Sequence, residues 1–262
     1  MDQAGRPVLL TVEQAVAIVT LNRPRVLNAI DAQTAQALAD AVAQVEEDGT
    51  ARALLLRGEG RAFCAGGDVA RFAGGDPEAA VKAIIDPLHA ALRALDTLKL
   101  PTLAAVQGPV AGAGFSLAMA CDLCIAADDA VFTMAYSRIG ASPDGSATYR
   151  LPRLVGERKA LELALLAEPV GITEALALGL VNRVAPAADL ASEALSLARR
   201  LAQGPTAAYA RIKHLVGRSL GNDLSAQLDL EREAFLAGTR TADFREGAQA
   251  FLAKRPPQFE GR

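Results

Sequence analysis

A chain of 262 residues with 51% apolar side chains can bury one large core, and only 4% aromatics makes that core aliphatic. A net charge of -3 with no Lys/Arg block argues against nucleic-acid partners, and no apolar run is long enough to span a membrane. Cys64, Cys121 and Cys124 have no histidines at metal-binding spacing and read as core thiols, so no metal site is expected and a reducing, cytoplasmic setting is.

MDQAGRP at the N-terminus has neither a charged n-region nor an apolar h-region, so a secretory leader is not expected. Val8 to Val12 and Val16 to Leu21 alternate around Glu13-Gln14 and predict a hairpin, broken by Asn22-Arg23-Pro24-Arg25. Asp31 is the expected N-cap of a helix running to about Glu47. Ala53 to Leu56 reads as a buried strand entering a glycine-rich loop, Gly58 to Gly67, with a helix expected from Asp68. A helical region over Pro77 to Leu98 precedes a β-branched strand, Thr102 to Gln107.

GPVAGAGFSLAMACD, Gly108 to Asp122, is a glycine turn followed by an apolar helical run, Phe115 to Cys121. A strand feeding a glycine bend and a helix N-terminus leaves backbone N–H groups unpaired and pointing one way. Such a turn can hold an anion or a developing oxyanion. Phe63-Cys64-Ala65-Gly66-Gly67-Asp68 follows the same logic, and an oxyanion hole needs two donors that converge. Leu123 to Ala127, Ala130 to Thr133 and Leu180 to Val184 read as short strands. Three or four amphipathic helices are expected between Ala187 and Ala253, broken at Gly204-Pro205, Gly221-Asn222 and Gly238. Strands alternating with helices predict an α/β fold with parallel pairing and right-handed crossovers.

NRPRVLNAI (Asn22 to Ile30), AFCAGGD (Ala62 to Asp68) and GPVAGAGFSLAMACD, in this order, resemble the crotonase, or enoyl-CoA hydratase/isomerase, superfamily. IGASPDGSATYRLPRLVG (Ile139 to Gly156), EALALGLVNRVAP (Glu174 to Pro186) and KRPPQF (Lys254 to Phe259) extend the resemblance over essentially the whole chain. It implies a spiral of ββα units over residues 1–200, carrying an acyl-CoA site. Residues 201–262 would form a helical oligomerisation region serving a homotrimer or homohexamer. The substrate would be an acyl-CoA thioester, with coenzyme A entering as part of it and no permanently bound cofactor.

The same resemblance assigns the thioester oxygen to the N–H groups of Gly67 and Ala113. It places Arg23 and Arg25 by the nucleotide, Ala65 and Asp68 by adenine and pantetheine, and Lys254 and Phe259 at a coenzyme, sometimes that of a neighbouring subunit. Phe72, Ile84, Leu88, Phe115, Ser116 and Tyr136 would line the acyl pocket. Family hydratases use two glutamates at the positions of Ser116 and Tyr136, and hydration needs both a base and an acid. Asp144, locally an N-cap or turn residue, occupies the position where family isomerases carry a catalytic aspartate. Isomerisation needs only one base and an oxyanion hole, so an isomerase is expected ahead of a hydratase or a non-catalytic CoA-ester binder. A hydrolase would need His89 or His214 beside Ser116, yet each reads as a helix-surface or interface histidine. A dinucleotide site would need a third glycine where Leu117 stands.

Overall fold

The computed structural model describes residues 5–72 and 74–262. Strands β1 (Val8–Glu13) and β2 (Val16–Leu21) form the expected hairpin. The joining residues Gln14 and Ala15 both have positive φ, 50° and 61°, the handed turn that matches strand twist. Helix α1 (Ala32–Asp48) starts where the Asp31 carboxylate accepts the Thr34 N–H at 2.9 Å. Strand β3 (Ala53–Gly58), helix α2 (Pro77–Thr97) and strand β4 (Thr102–Val106) follow. Next come β5 (Pro109–Ala111), α3 (Ala113–Ala120), β6 (Leu123–Ala127) and β7 (Val131–Thr133). A 3-10 turn over Ala135–Ile139 leads to α4 (Ala147–Val155) and α5 (Glu157–Leu166). The spiral closes with β8 (Val170–Gly171), α6 (Ile172–Ala177), β9 (Arg183–Ala185) and α7 (Leu190–Ala202).

The main sheet runs β1-β2-β3-β4-β6-β9 and is parallel except for the β1 edge. Its side chains alternate: Val19, Leu54, Leu56, Ala104 and Val106 pack in the core that α1, α2 and α3 complete. Ile18, Leu55, Leu103 and Ile125 pack with Leu190 and Leu197 of α7. A second, smaller sheet runs β5-β7-β8, and lone parallel bridges Cys64–Val110 and Ile30–Gly67 carry it back toward the N-terminus. The turns that begin at β2, β3, β4 and β6 each add a strand to the large sheet, then a short extended piece at or beside the small one, and then a helix. That is the ββα spiral.

Three elements differ from expectation. The chain after Asp68 makes only a 3-10 turn, Val69–Arg71, because the Asp68 side chain pairs with Arg23 and caps nothing. Helix α3 begins at Ala113, two residues early, because Gly114 lets it press on Cys64; a Cβ at 114 would clash with the Cys64 carbonyl oxygen and Cβ. The last strand is Arg183–Ala185 and not Leu180 to Val184. Leu180 and Val181 are buried as an irregular segment, and Asn182 starts the pairing by exchanging hydrogen bonds with the Cys124 backbone.

Helices α8 (Thr206–Ser219), α9 (Leu224–Gly238) and α10 (Ala242–Leu252) follow α7. Lys213 ties α8 to the core, donating to the carbonyls of Leu98 and Leu100 and pairing with Asp122 at 2.8 Å. Arg52, just before β3, donates to the carbonyls of Gly204 and Phe259. Among the described residues no helix is long and apolar enough to cross a membrane.

Candidate active site

The spiral explains why the two glycine turns meet. Cys64 and Val110 are bridged neighbours in the small sheet, so the turns that follow them, Ala65–Gly67 and Gly112, lie side by side. A Cβ on Gly66 would sit 3.1 Å from the Ala111 carbonyl oxygen and 3.7 Å from the Ala113 nitrogen. Gly66 (φ 107°) and Gly112 (φ 48°) both use conformations that favour glycine. Ala113 is the first residue of α3, so its N–H has no partner within the helix. Among the described residues, neither the Ala113 nor the Gly67 N–H donates to a backbone or side-chain acceptor. In the Ile30–Gly67 bridge the bonds run through Ile30 N–H to Gly66 and Asp68 N–H to Ile30, which leaves the Gly67 N–H spare. Two adjacent, unspent amides are what a developing oxyanion requires.

Asp144 is held at this site from two sides. Ser116, one helical turn after Ala113 on α3, donates through Oγ to the Asp144 carbonyl at 2.8 Å. The Tyr136 hydroxyl reaches the same carbonyl at 3.2 Å. The Asp144 carboxylate Oδ1 lies 2.6 Å from His89 Nε2, while Oδ2 has no partner among the described residues. Burial pushes the Tyr136 hydroxyl up to about 12, so it remains a neutral donor at ordinary pH. Asp144 does not act as a helix cap: Ser146, in the left-handed region, precedes α4.

His89 is the residue that sequence reasoning missed. It stands on α2 beside the buried Leu88, at the edge of the apolar stripe, and its partner is Asp144 and not Ser116. Its place next to Leu88 and Leu92 was the available signal. The partner 55 residues away was not visible in any local pattern. Ser116 has no histidine against it, so the hydrolase arrangement does not form.

The other expected site residues divide. Arg23 is engaged within the chain: it donates to the Ala29 carbonyl and pairs with Asp31 at 3.0 Å and Asp68 at 3.5 Å. Burial works to raise the Asp31 carboxyl, but the hydrogen bonds from Thr34 and the Arg23 charge hold it below its ordinary value. Arg25 lies exposed in a neighbouring 3-10 turn, and Ala65 is fixed by its N–H to the Leu27 carbonyl. Phe72 packs over Gly67, and the Tyr136 ring flanks Gly112. The Phe115 ring packs on that of Phe132, 5.2 Å away, in the core. Ile84 and Leu88 are buried in the same core. An apolar cavity of about 180 Å³ opens between α4 and α5, and it shares with the Asp144 loop only Pro143.

Phe259 is not brought to this site by its own chain. Phe259 is tied to Arg52 at the start of β3, whereas the glycine loop follows its end, roughly 20 Å along the strand. Cys64, Cys121 and Cys124 are free and buried; burial pushes the Cys64 and Cys121 thiols up to about 12. Among the described residues no cluster could hold a metal ion.

A sequence model described as "Enoyl-CoA hydratase/isomerase" matches residues 11–262. A "Probable enoyl-CoA hydratase" of Rhodobacter capsulatus is 43% identical over 253 residues, covering 96% of each chain. The 1,2-epoxyphenylacetyl-CoA isomerase of Escherichia coli K12 is 42% identical, covering 97% of this chain and 98% of that one. The crystal structure of an enoyl-CoA hydratase from Polaromonas sp. JS666 superposes with a TM-score of 0.91 at 39% identity, covering 97% and 99% of the two chains.

Proposed function

The chain belongs to the enoyl-CoA hydratase/isomerase family, and we propose that within it this protein is an acyl-CoA isomerase. The observation that carries this reading is Asp144, whose backbone carbonyl is bonded by Tyr136 and by Ser116 of the helix that presents the free Ala113 amide. The thioester oxygen of a 3-enoyl-CoA accepts from the Gly67 and Ala113 N–H groups. Asp144 Oδ2 takes a proton from C2, and the electron pair spreads through the dienolate onto that oxygen. The same carboxyl returns the proton at C4, the thioester carbonyl re-forms, and the product is a 2-enoyl-CoA. His89 holds Oδ1 and so fixes which oxygen faces the substrate. Ring-bearing acyl groups suit the same chemistry, and the similarity to the epoxyphenylacetyl-CoA isomerase supports including them.

The hydratase reading draws support from the Rhodobacter relative's name and from His89, a second protonatable group at the carboxylate. Product analysis separates the two. Purified protein should convert a 3-enoyl-CoA to the 2-enoyl-CoA and accumulate no 3-hydroxyacyl-CoA. Rapid formation of the 3-hydroxy product from a 2-enoyl-CoA, without isomerisation, would replace the isomerase assignment by the hydratase one. Binding of CoA esters with neither reaction would make the protein a non-catalytic binder.

The assembly belongs to the same proposal. Leu224, Phe251 and Leu252 on α9 and α10 are 75%, 83% and 82% exposed, and Val216 and Phe235 are mostly exposed too. Apolar side chains this open on adjacent helices favour association with further copies of the chain, and the family resemblance makes a homotrimer, or a hexamer of two trimers, the expected form. In such an assembly Lys254 and Phe259 serve a neighbour's coenzyme. Sedimentation at micromolar concentration should give three or six copies; a monomer would contradict this.

A further inference from the structure

We infer that Ser116 and Tyr136 are positioning residues that clamp the Asp144 peptide and so set the carboxylate against the oxyanion turn. The inference rests on the isomerase reading for its kinetic consequence and on geometry alone for the clamp. Apart from the His89 contact to the Asp144 carboxylate, the loop makes few other bonds. Pro143 before it has no N–H, and Gly145 after it adopts φ 63°. Within residues 141–145 the backbone bonds are the Ala141 N–H to Tyr136 and the turn from the Ala147 N–H to Asp144 itself, while the Ser146 carbonyl accepts from Tyr149 and Arg150 of α4.

Against this, two side-chain hydroxyls converge on one carbonyl oxygen. Ser116 Oγ lies 2.8 Å from the Asp144 oxygen and Tyr136 OH 3.2 Å from it, with 3.2 Å between the hydroxyls. Ser116 is fully buried, and its alternative acceptor, the Gly112 carbonyl, is farther at 3.3 Å. With one hydrogen to give, Ser116 spends it on Asp144. The loop is drawn so close that a Cβ on Gly145 would sit 2.9 Å from the Ser116 Cβ. Ser116 is on the first turns of α3, the helix that presents the Ala113 amide. The clamp therefore references the base and the oxyanion donor to one rigid element, and a carboxylate displaced by about 1 Å loses on the order of 10²-fold in rate.

The test uses Ser116→Ala, Tyr136→Phe and the double variant in the full-length protein. Each single change should lower kcat about 5- to 10-fold, as a lost hydrogen bond of about 1 kcal/mol implies, with KM for the thioester nearly unchanged. The double variant should lose about 10²-fold. A looser carboxylate should also release more of the abstracted hydrogen to solvent. The deuterium retained on transfer from a 2-deuterated 3-enoyl-CoA should therefore fall, which a simple loss of folded protein would not produce. Independently of activity, amide hydrogen exchange over residues 141–147 should accelerate in the double variant while α3 stays protected. Unchanged exchange there, or wild-type kcat in the double variant, would overturn the clamp. Accelerated exchange in a protein whose wild type isomerises nothing would uphold the clamp and reject only the isomerase reading.

Discussion

Asp144→Asn is expected to lower turnover by about 10²–10⁴-fold while CoA-thioester binding and the fold persist. The amide matches the carboxylate in size, and the anchor of the loop is the Asp144 backbone carbonyl, which the substitution leaves in place. What disappears is the oxygen that takes the proton. Nothing nearby replaces it: Tyr136 is a neutral donor pushed up to about 12 by burial, and Ser116 spends its proton on the loop. His89, which contacts the Asp144 carboxylate at 2.6 Å, can keep that contact to the side-chain amide in Asp144→Asn. Steady-state kinetics with a titration of an unreactive thioester analogue separates loss of the base from loss of binding. Full activity would end the single-base mechanism.

Ala113→Pro should reduce turnover at least 10²–10³-fold, the cost of one oxyanion donor, about 3–4 kcal/mol of transition-state stabilisation. Proline is favoured at the first position of a helix, where its missing N–H has no intrahelical partner, so α3 should tolerate it. Gly112, at φ 48° and ψ -120°, lies outside the α region that a following proline disfavours. Ala113→Gly keeps the amide and should stay active, which separates the backbone group from its side chain. Gly67→Pro should act likewise through the other donor. Comparable turnover in Ala113→Pro and Ala113→Gly would show that the oxygen is held elsewhere.

The parts of the fold that short-range patterns control were legible. The β1–β2 hairpin, the Asp31 cap and the strand–glycine–helix turn that leads into α3 follow from alternation, capping and glycine placement within a few residues. The small sheet was not legible as a sheet. Its members, β5, β8 and the lone bridges at Ile30, Cys64 and Gly67, are too short to show a period. Its consequence for the site is large, since it sets the two turns side by side. Gly67, Ala113 and Asp144 were named through the family resemblance, but their surroundings depend on long-range pairs: Arg23 with Asp68, His89 with Asp144, Ser116 with the Asp144 carbonyl. Ser116 and Tyr136 in particular looked like missing carboxylates. In the fold their hydroxyls serve as donors, a role that residue identity alone does not reveal.

The central claim, one carboxylate that both removes and returns the proton, is tested most directly by following the migrating hydrogen. A 3-enoyl-CoA deuterated at C2 is turned over in ordinary water, and the 2-enoyl-CoA product is read by mass and by position of label. Retention of a measurable part of the deuterium at C4, lost together with activity in Asp144→Asn, is the predicted result. Product formed with no label at C4 under all conditions, or with water added across the double bond, would contradict it.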